Sequence, residues 1–587
     1  MRQGGLLTIG LLRITMLRKF ASERRIVAGA CLRALALLSL AALLGASALK
    51  ADDASGKAAS LHFTDVTEEA GLSGFIGVQG SAKKDHIIEV MGGGAGLLDY
   101  DGDGNLDILF ALGSTIEQFP KGGDPMAALY RGDGKGHFED VTKSAGLTKR
   151  GWGQGVAVGD YDNNGHADIY LTGYGGNALY KNLGDGTFQE VGAAAGVANS
   201  QWSLGAAFTD IDRDGDLDLY VSNYLAYPLD RFPNRDANCN YRGFGVFCGP
   251  RGLFGLRDFL YINDGKGHFE DVAEKRGIDE EKFYGLGVLV ADYNNDFWPD
   301  IFVANDLTSN LFYQNNGDGT FEELSVLAGN AFSEDGIEEG SMGIDVADIN
   351  QDGWLDLYYT NSSFESNSLL VNNGDGSFTN VTSASGHGQS THLFVGWGVS
   401  FGDLDNDTRP DLLVVNGHLY PEADQFEMGL KYEQRWLVYM NQDGRRFVER
   451  GEEFGLTRRY KSRGVALGDY DNDGDLDAIV NNLDGPPTLL RNDGGNRNHW
   501  LLVECKGKQS NRSAIGARVE VKVGDKTLIR DVRSGTSYLS QNDLRLHFGL
   551  GSAEKVNRVT VTWPSGATST MTEVDADQII RIEEQSK

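Results

Sequence analysis

A short phrase of acidic residues occurs seven times between residues 99 and 477 and is the strongest constraint on the fold. It reads Asp-x-Asp-x-Asp-Gly-x-x-Asp, exact or with one or two substitutions. A repeat unit of this size is typical of a propeller or a solenoid, because one unit alone cannot bury its apolar face. Alternating apolar residues flank each phrase, as at residues 155–158 and 169–171. This alternation indicates strands, not the helices of an EF-hand.

A second phrase follows each loop at a fixed distance, and residues 179–188 read Leu-Tyr-Lys-Asn-Leu-Gly-Asp-Gly-Thr-Phe. Two strands joined by an Asp-Gly turn form a hairpin, so each unit supplies about four strands, or one propeller blade. The last unit lacks the closing Phe-x-Asp-Val-Thr, which occurs alone at residues 63–67. We therefore expect the N-terminal strand to complete the last blade and close the ring.

The predicted fold is all-β, with a seven-bladed β-propeller over residues 61–495 and a small C-terminal β module over residues 496–587. A closed ring leaves no unpaired sheet edge. An open solenoid is the structural alternative, but it would need capping repeats and not one divided repeat.

The loops themselves predict metal binding, because carboxylates at positions 1, 3, 5 and 9 of a tight loop converge on one point. Such a set of hard oxygen ligands suits Ca²⁺, whereas Mg²⁺ prefers fewer protein ligands and a rigid octahedron. The predicted ligands, loop by loop, are Asp99, Asp101, Asp103 and Asp107; Asp160, Asp162, Asn164 and Asp168; Asp210, Asp212, Asp214 and Asp218; Asp292, Asn294, Asp296 and Asp300; Asp348, Asn350, Asp352 and Asp356; Asp403, Asp405, Asp407 and Asp411; and Asp469, Asp471, Asp473 and Asp477.

The seven sites are not expected to be equal. Phe297 and Thr408 replace the position-6 glycine that eases the turn, and three loops carry one Asn. The third and seventh loops should bind best, in an affinity range of about 10⁻⁴ to 10⁻³ M typical of extracellular modules. Acidic turns without metal are one alternative. A catalytic use of the Asp pairs is another, although bound metal would occupy them.

The charge of the chain fits this interpretation. Acidic residues outnumber basic ones, 84 to 53, for a formal net charge of −31, and the excess lies within residues 52–495. Nucleic acid and anionic membranes repel a surface of this sign, so we expect neither as a partner.

The first 51 residues have the pattern of a secretory signal peptide. Basic residues precede an apolar run at residues 34–44 and small residues at 46–48. The run is shorter than the ~20 residues that span a bilayer, which disfavours the alternative of a membrane anchor. We expect cleavage after Ala48 or Ala51, a linker over residues 52–60, and a mature chain without a membrane span that is secreted, periplasmic or extracellular.

The largest insertion lies between the third and fourth loops and contains Cys239 and Cys248. After export a disulfide between them is favoured, and a Zn²⁺ site without nearby histidines is not. The aromatic and arginine side chains of the insertion suit either a binding surface or packing over the ring; they are Tyr227, Arg231, Phe232, Tyr241, Phe244 and Phe247.

Two further features leave alternatives open. His387, His392 and His418, near Glu422, would permit a metal or acid–base site in the sixth unit. Cys505 lies within an apolar strand, where a buried thiol is favoured over a nucleophile.

The looped blades resemble the FG-GAP (VCBS-type) repeats of integrin α-chains, and the last ninety residues resemble an ASPIC/UnbV domain. The matching segments are His499-Trp500-Leu501, Ser510-Asn511-Arg512, Ile515-Gly516-Ala517-Arg518, Ser534-Gly535 with Tyr538-Leu539-Ser540-Gln541, residues 547–551 and Trp563-Pro564-Ser565-Gly566. This combination resembles the secreted cartilage acidic protein family and its bacterial relatives. The resemblance implies an extracellular Ca²⁺-binding protein and supplies no catalytic residues.

The sequence thus favours a non-enzymatic, exported, calcium-binding propeller that binds an extracellular protein or glycan. An enzyme or biosynthetic accessory, with its site in the propeller channel or the His418 insertion, is the alternative function. The Ser-Asn-Arg and Leu-Ser-Gln segments of the C-terminal module suit either ligand contact or packing against the ring.

Overall fold

The computed structural model describes residues 61–230, 239–278, 283–426 and 429–585. The predicted signal peptide and linker, and Arg231 and Phe232 of the insertion, lie outside these ranges. The prediction of an all-β fold is confirmed, since strands of three to ten residues carry nearly all of the regular structure.

Seven antiparallel sheets account for residues 63–492, and each follows one plan of four strands from inner to outer edge. We call them blades 1 to 7. Blade 1 contains Ala95–Leu98, Asp107–Ala111, Ala127–Gly132 and Phe138–Asp140; blade 2 contains Arg150–Gly159, Asp168–Tyr174, Ala178–Asn182 and Phe188–Glu190, with Asp124–Pro125 added at its inner edge; blade 3 contains Ser203–Thr209, Asp218–Asn223, Phe259–Asn263 and Phe269–Asp271.

The remaining blades repeat the plan. Blade 4 contains Gly285–Ala291, Asp300–Asn305, Leu311–Asn315 and Phe321–Glu323; blade 5 contains Ile344–Ala347, Asp356–Tyr359, Ser368–Asn372 and Phe378–Asn380; blade 6 contains Gly396–Gly402, Asp411–Asn416, Leu437–Asn441 and Phe447–Glu449; blade 7 contains Ser462–Gly468, Asp477–Asn482, Thr488–Asn492 and the N-terminal strand Phe63–Asp65.

The ring closes through the two ends of the repeat region. Phe63 pairs with Asn492 and Asp65 with Leu490 in an antiparallel register, as the divided repeat predicts. The inner strands pack in sequence order from blade 1 to blade 7, and that of blade 7 packs against that of blade 1. Each blade therefore has a neighbour on both faces.

The core lies mainly between successive blades, where alternating side chains of facing sheets meet. Leu289 and Phe302 of blade 4, for example, pack with Val346 and Leu357 of blade 5. Both faces of a blade are buried in this way, which explains why its central strands are apolar at nearly every position.

The C-terminal module consists of two further sheets. One contains Leu546–Gly551, His499–Lys506 and Gln578–Glu583; the other contains Lys526–Asp531, Arg518–Val523, Lys555–Thr562 and Thr568–Asp575. Leu501 and Val519 of the module share one apolar cluster with Tyr161 and Phe208 of blades 2 and 3. The module is therefore packed onto the ring.

Helical segments are short turns at the blade edges. They are Ile87–Val90, Phe119–Lys121, Gly192–Ala195, Glu274–Arg276, Ser325–Ala328, Gly388–Thr391, Pro421–Gln425 and Gly495–Arg497. Within the described ranges, none of the helices has the length and apolar character that crossing a membrane requires.

A segment of the C-terminal module, residues 534–542, enters the ring, and we call it the plug. Its backbone exchanges hydrogen bonds with the inner strands of blades 1, 2 and 5, through Leu97, Val156 and Ile344. Side chains add bonds to blades 6 and 7: Ser537 Oγ accepts from the Val399 N–H at 3.0 Å, and Asn542 Oδ1 accepts from the Leu467 N–H at 2.9 Å. The plug thus ties five blades together at the centre.

Candidate metal centres

Each acidic loop connects the inner strand of a blade to its second strand, so all seven lie at the same end of their blades. The position-9 Asp is the first residue of the second strand in every blade. In the second loop, Asp168 accepts from the position-2 N–H of Tyr161 at 3.0 Å and from the Asn182 N–H at 2.7 Å. These two backbone donors fix the orientation of a buried carboxylate.

The position-1 carboxylate is fixed from inside its own loop. Asp99 accepts from the N–H groups of Asp103 at 3.2 Å and Gly104 at 3.0 Å. The equivalent bonds in the sixth loop run from Asp407 and Thr408 to Asp403. Position 6 has a positive φ even where it is not glycine, +68° at Phe297 and +88° at Thr408. The turn therefore forms in the two substituted loops, although such residues rarely adopt this conformation.

Carboxylates at positions 1, 3 and 9 converge in five loops, where one oxygen of each lies within 4.8 Å of the other two. These groups are Asp99, Asp101 and Asp107; Asp160, Asp162 and Asp168; Asp210, Asp212 and Asp218; Asp403, Asp405 and Asp411; and Asp469, Asp471 and Asp477. In the fourth and fifth loops, position 3 is Asn294 or Asn350, whose amide donates 2.8 Å bonds to position 5. Those two loops keep carboxylates at positions 1 and 9.

Position 5 has a different local role from positions 1, 3 and 9. Its side chain accepts from the backbone N–H of position 7, as Asp103 does from Asn105 at 2.9 Å and Asn164 from His166 at 2.8 Å. The predicted position-5 ligands are therefore held at the loop rim, beside the three convergent oxygens.

The surroundings of the converging carboxylates disfavour their ionised form. Burial raises the pKa of Asp107 to about 8 and, helped by neighbouring carboxylates, that of Asp210 and Asp469 to about 7. The pKa of the position-9 Asp is raised in the other six loops as well, with burial as the largest cause. A nearby positive charge would favour the ionised form of such a group.

The donor chemistry fits a hard divalent cation. One oxygen each of Asp210, Asp212, Asp405 and Asp471 is buried without a hydrogen-bond partner. Buried polar atoms are rarely left unpaired, and carboxylate oxygens are the ligands that Ca²⁺ accepts. Basic side chains supply part of the charge in four loops. The pairs are Lys181 with Asp162, Arg276 with Asp212, Arg518 with Asp292 and Arg409 with Asp407.

A set of asparagines that the sequence analysis missed joins each blade to the preceding loop. In six blades, an Asn at the end of the third strand donates to the position-2 carbonyl of the preceding loop, at 2.8–2.9 Å. They are Asn182, Asn263, Asn315, Asn372, Asn441 and Asn492. The sequence carried this signal, because the second phrase has Asn at this position in every unit except that of blade 1, which has Gly132.

Position 4 supplies a second set of links, from each loop to the next. Its side-chain amide donates to the position-6 carbonyl of the following loop in four cases: Asn163 to Gly215, Asn295 to Gly353, Gln351 to Thr408 and Asn406 to Gly474, at 2.8–3.1 Å. Gly102 has no side chain to offer from the first loop. These bonds connect the second loop to the third, and the fourth to seventh loops to one another.

The C-terminal module reaches the same loops. Arg545 donates to the Asp469 carbonyl at 3.0 Å, Arg518 to the Asp292 carbonyl at 3.2 Å, and the Arg512 N–H to Asn163 Oδ1 at 2.9 Å. Of the two segments singled out for ligand contact, Leu539 to Gln541 is buried in the plug, and Ser510 and Asn511 are buried within the module. Packing is therefore what the structure shows for these five residues, whereas the Arg512 side chain is exposed.

The histidines of the sixth unit remain apart from the acidic groups. His387 is buried between Ser385 Oγ at 2.6 Å and the Asn367 carbonyl at 3.0 Å, and burial lowers its pKa to about 4. His418 accepts from the Tyr420 N–H at 3.0 Å. Among the described residues, none of the clustered metal-ligating groups includes a histidine. The plug enters the centre of the ring, where the enzyme alternative places one of its two possible sites.

Some aromatic side chains of the insertion are buried in the core, and others are only half-buried. Cys239 and Cys248 form a disulfide with Cα atoms 5.2 Å apart. Tyr227 and Phe247 are buried in the core, whereas Tyr241 and Phe244 are half-buried against Phe426. Cys505 is a half-buried free thiol whose pKa burial raises to about 12, as expected for an unreactive cysteine.

Two family profiles match this chain. The FG-GAP-like repeat matches residues 99–171, 160–221, 292–359 and 348–414, and the ASPIC and UnbV family matches residues 507–587. These segments cover six of the seven acidic loops in full and most of the C-terminal module.

The curated relatives that match this chain share one name. Cartilage acidic protein 1 of Xenopus tropicalis is 28% identical over 291 residues, 48% of this chain and 42% of that protein. The Homo sapiens protein of the same name is 27% identical over 303 residues, 50% of this chain and 43% of that protein. The matched region thus spans less than half the length of these relatives.

Solved structures with a similar fold include a lectin from Agrocybe aegerita and YCF48 bound to a D1 peptide. The lectin covers 64% of this chain and 91% of its own, with 17% identity and a TM-score of 0.37. YCF48 covers 74% of this chain and 98% of its own, with 8% identity and a TM-score of 0.38. From its profiles and relatives together, this chain carries FG-GAP-like repeats followed by an ASPIC and UnbV domain and is similar to cartilage acidic protein 1.

Proposed function

We propose that this chain is an exported calcium-binding propeller that acts as an extracellular binding protein. A signal peptide over residues 1–51 is removed, residues 61–495 form the metal-binding ring, and residues 496–587 form a module that is fixed to it. Calcium at the acidic loops stabilises the ring, and the exposed surface of the ring binds a protein or glycan.

The observation that carries the proposal is the convergence of buried carboxylates in successive loops, several with unpartnered oxygens. Burial makes the charged form of these groups unfavourable unless a cation compensates it. A divalent ion with six to eight oxygen ligands can use the three carboxylates, the rim residue at position 5 and the carbonyl of position 7. The similarity to cartilage acidic protein 1 supports the extracellular assignment.

The test is a measurement of bound metal and of thermal stability on the full mature chain. We expect several Ca²⁺ per chain after dialysis against calcium, and a melting temperature that falls markedly in EDTA and returns with Ca²⁺ but not with equal Mg²⁺. Ligand that binds only the folded state adds about 2.7 kcal/mol of stability at 100 times its Kd for each site.

Substitutions in the acidic loops test whether the metal binds there. Asp471→Asn should lower the number of bound Ca²⁺ or weaken the last site, because Asp471 contributes one of the converging oxygens. Asp318→Asn, in an exposed hairpin turn outside the loops, is the matched control and should bind as the unmodified chain does. A melting temperature that EDTA leaves unchanged would contradict the calcium proposal.

The partner surface is expected on the insertion. Phe254 is 81% exposed, and Arg242 lies over the Phe364 ring at 3.5 Å while remaining exposed. An exposed aromatic and an arginine are residues that carry much of the energy of binding interfaces. Capture from extracellular medium and a glycan array should each lose signal with Phe254→Ala and Arg242→Ala. Retention of all binding by both variants would place the partner elsewhere.

A further inference from the structure

A cleft separates the first acidic loop from the C-terminal module. It has a volume of about 460 Å³ and is lined by blades 1 and 2 on one side and by the module on the other. A volume in this range accommodates a small organic ligand or a short peptide segment. The strand Asp218–Asn223 begins at the third acidic loop and ends at the insertion, so the acidic loops and the insertion lie at opposite ends of the blades. The cleft is therefore distinct from the partner surface on the insertion.

The cleft exists because the module leaves the first loop uncovered. On either side of it the module bonds to the neighbouring loops: Ser513 Oγ accepts from the Asp160 N–H at 2.9 Å, and Arg545 donates to the Asp469 carbonyl at 3.0 Å. Within the described ranges, no hydrogen bond joins the module to the first loop. Asp99 is accordingly half-buried, whereas the equivalent carboxylates of the two neighbouring loops are buried.

One part of the cleft is aliphatic. Leu544 and Cys505 are half-buried there, and Ile579 is 42% exposed. Among the described residues that line the cleft, none is phenylalanine, tyrosine or tryptophan. An aliphatic side chain would bury this surface favourably, whereas sugar hydroxyls placed against it would lose hydrogen bonds to water. The cleft therefore favours a peptide over a glycan.

Two ion pairs of the module also line the cleft, and each is internally compensated. Arg545 Nε lies 2.7 Å from an Asp543 oxygen, and Arg581 Nη2 lies 2.8 Å from a Glu504 oxygen. These four side chains thus contribute little net charge to the space between them.

Two further cations of the cleft have no such partner. Lys506 is half-buried and Arg512 is exposed, and among the described residues neither side chain forms an ion pair. Ammonium and guanidinium groups bind carboxylates through charge-assisted hydrogen bonds, which are stronger than those between neutral groups. This pair of side chains therefore suits a ligand that carries a carboxylate.

Two carboxylates of the acidic loops oppose an anionic ligand in the same cleft. Asp99 and Asp160 both line it, and the charge of Arg512 acts on Asp160. Both carboxylates are also predicted calcium ligands. A divalent ion in each of the first two loops would offset their charge, so calcium should favour the binding of an anion beside them.

We propose that this cleft binds a peptide segment in which an acidic side chain adjoins an aliphatic one. Arg512 and Lys506 bind the carboxylate, and the aliphatic side chain packs against Leu544, Cys505 and Ile579. Calcium in the first two loops strengthens binding because it offsets the charge of the loop carboxylates. This calcium dependence rests on the proposed function, whereas the contacts with the peptide do not.

The test is a calorimetric titration of the full mature chain with acetylated and amidated tetrapeptides in saturating Ca²⁺. The panel pairs leucine, isoleucine or valine with glutamate or aspartate, and each peptide has a control that carries the corresponding amide. We expect at least one acidic peptide to bind at least about tenfold more tightly than its control, the smallest factor for a charge-assisted hydrogen bond. Equal affinities of acidic and control peptides across the panel, or no binding at all, would overturn the proposal.

Variants of the chain locate the bound peptide. Arg512→Gln should weaken the acidic peptide by the same factor, and it should leave the melting temperature unchanged because the side chain is exposed. Ile579→Gln should weaken the acidic peptide and its amide control alike. Arg458→Gln removes another largely exposed arginine, outside the cleft, and should bind as the unmodified chain does. Unchanged peptide binding by Arg512→Gln would place the peptide elsewhere and contradict the proposal.

Removal of calcium separates this proposal from that of calcium binding. In EDTA, below the melting temperature, the acidic peptide should bind at least about tenfold more weakly. A chain that binds Ca²⁺ but does not select the acidic peptide would overturn the peptide site alone. A chain that selects the peptide but binds no Ca²⁺ would overturn the calcium proposal alone. Binding of an oligogalacturonate through Arg512, with no peptide bound, would identify the ligand as an acidic glycan and overturn the peptide proposal.

Discussion

The side-chain amide of Asn406, in the sixth acidic loop, donates a 3.0 Å hydrogen bond to the carbonyl of Gly474, in the seventh. Position 4 lies between the position-3 and position-5 side chains of one loop, and position 6 follows position 5 of the next. We therefore expect a change of order in one loop to affect its neighbour. This relationship recurs along the ring and leads to the first prediction.

Asn406→Gly should lower the free energy of unfolding by about 1 kcal/mol, the usual contribution of one hydrogen bond. Glycine suits the φ of +56° at this position, so the effect reports the lost side chain and not backbone strain. Calcium titration followed by calorimetry should show lower cooperativity than in the unmodified chain. Asn316→Gly, in an exposed hairpin, is the control; equal effects of the two changes would argue against coupling between loops.

Tyr538→Ala should destabilise the chain by about 3–5 kcal/mol, because it leaves a cavity at the centre of the ring and removes the contact with Trp397. Chemical denaturation measures the difference. Phe254→Ala removes an aromatic of similar size that is 81% exposed and should cost little. A small effect of Tyr538→Ala would mean that the plug contributes little to ring stability.

Acid should destabilise the calcium-loaded chain partly through His387. Burial lowers its pKa from 6.5 to about 4, so the unfolded chain binds more protons than the folded chain between these values. Stability is therefore present above pH 6.5 and is lost as the pH falls towards 4, by at most about 3 kcal/mol. His387→Gln should flatten this part of the stability-versus-pH curve. An unchanged slope would show that another group controls the acid transition.

Reduction of the disulfide should loosen the insertion and leave the acidic loops intact. The bond joins cysteines nine residues apart, and closing a loop of this length contributes about 2–3 kcal/mol. Limited proteolysis of the Cys239→Ser, Cys248→Ser double variant should cut within the insertion, while the number of bound Ca²⁺ stays the same. Loss of calcium together with the disulfide would show that the insertion supports the ring.

The sequence alone was sufficient for the repeat architecture. Period-two alternation around each acidic phrase is a local property of strands, and the divided last repeat specified which segments pair at the closure. The converging carboxylates were predictable for the same reason, since positions 1, 3 and 9 belong to one short loop whose geometry depends on nearby residues. Asn182 and its equivalents formed a repeat that was visible in the sequence, but the sequence did not reveal their hydrogen-bond partners.

What only the tertiary structure decided is how distant segments meet at the centre. Arg463 and Gln154 occupy equivalent positions of the repeat, six residues before their loops, but they are more than three hundred residues apart in the chain. The closed ring places them on either side of the strand Ala95–Leu98. The plug segment stood out in the sequence only through its resemblance to part of an ASPIC/UnbV domain. Its position follows from hydrogen bonds with five blades at once. Local patterns determine blades and loops because their energetics are local, whereas the environment of a buried charge depends on every element packed around it.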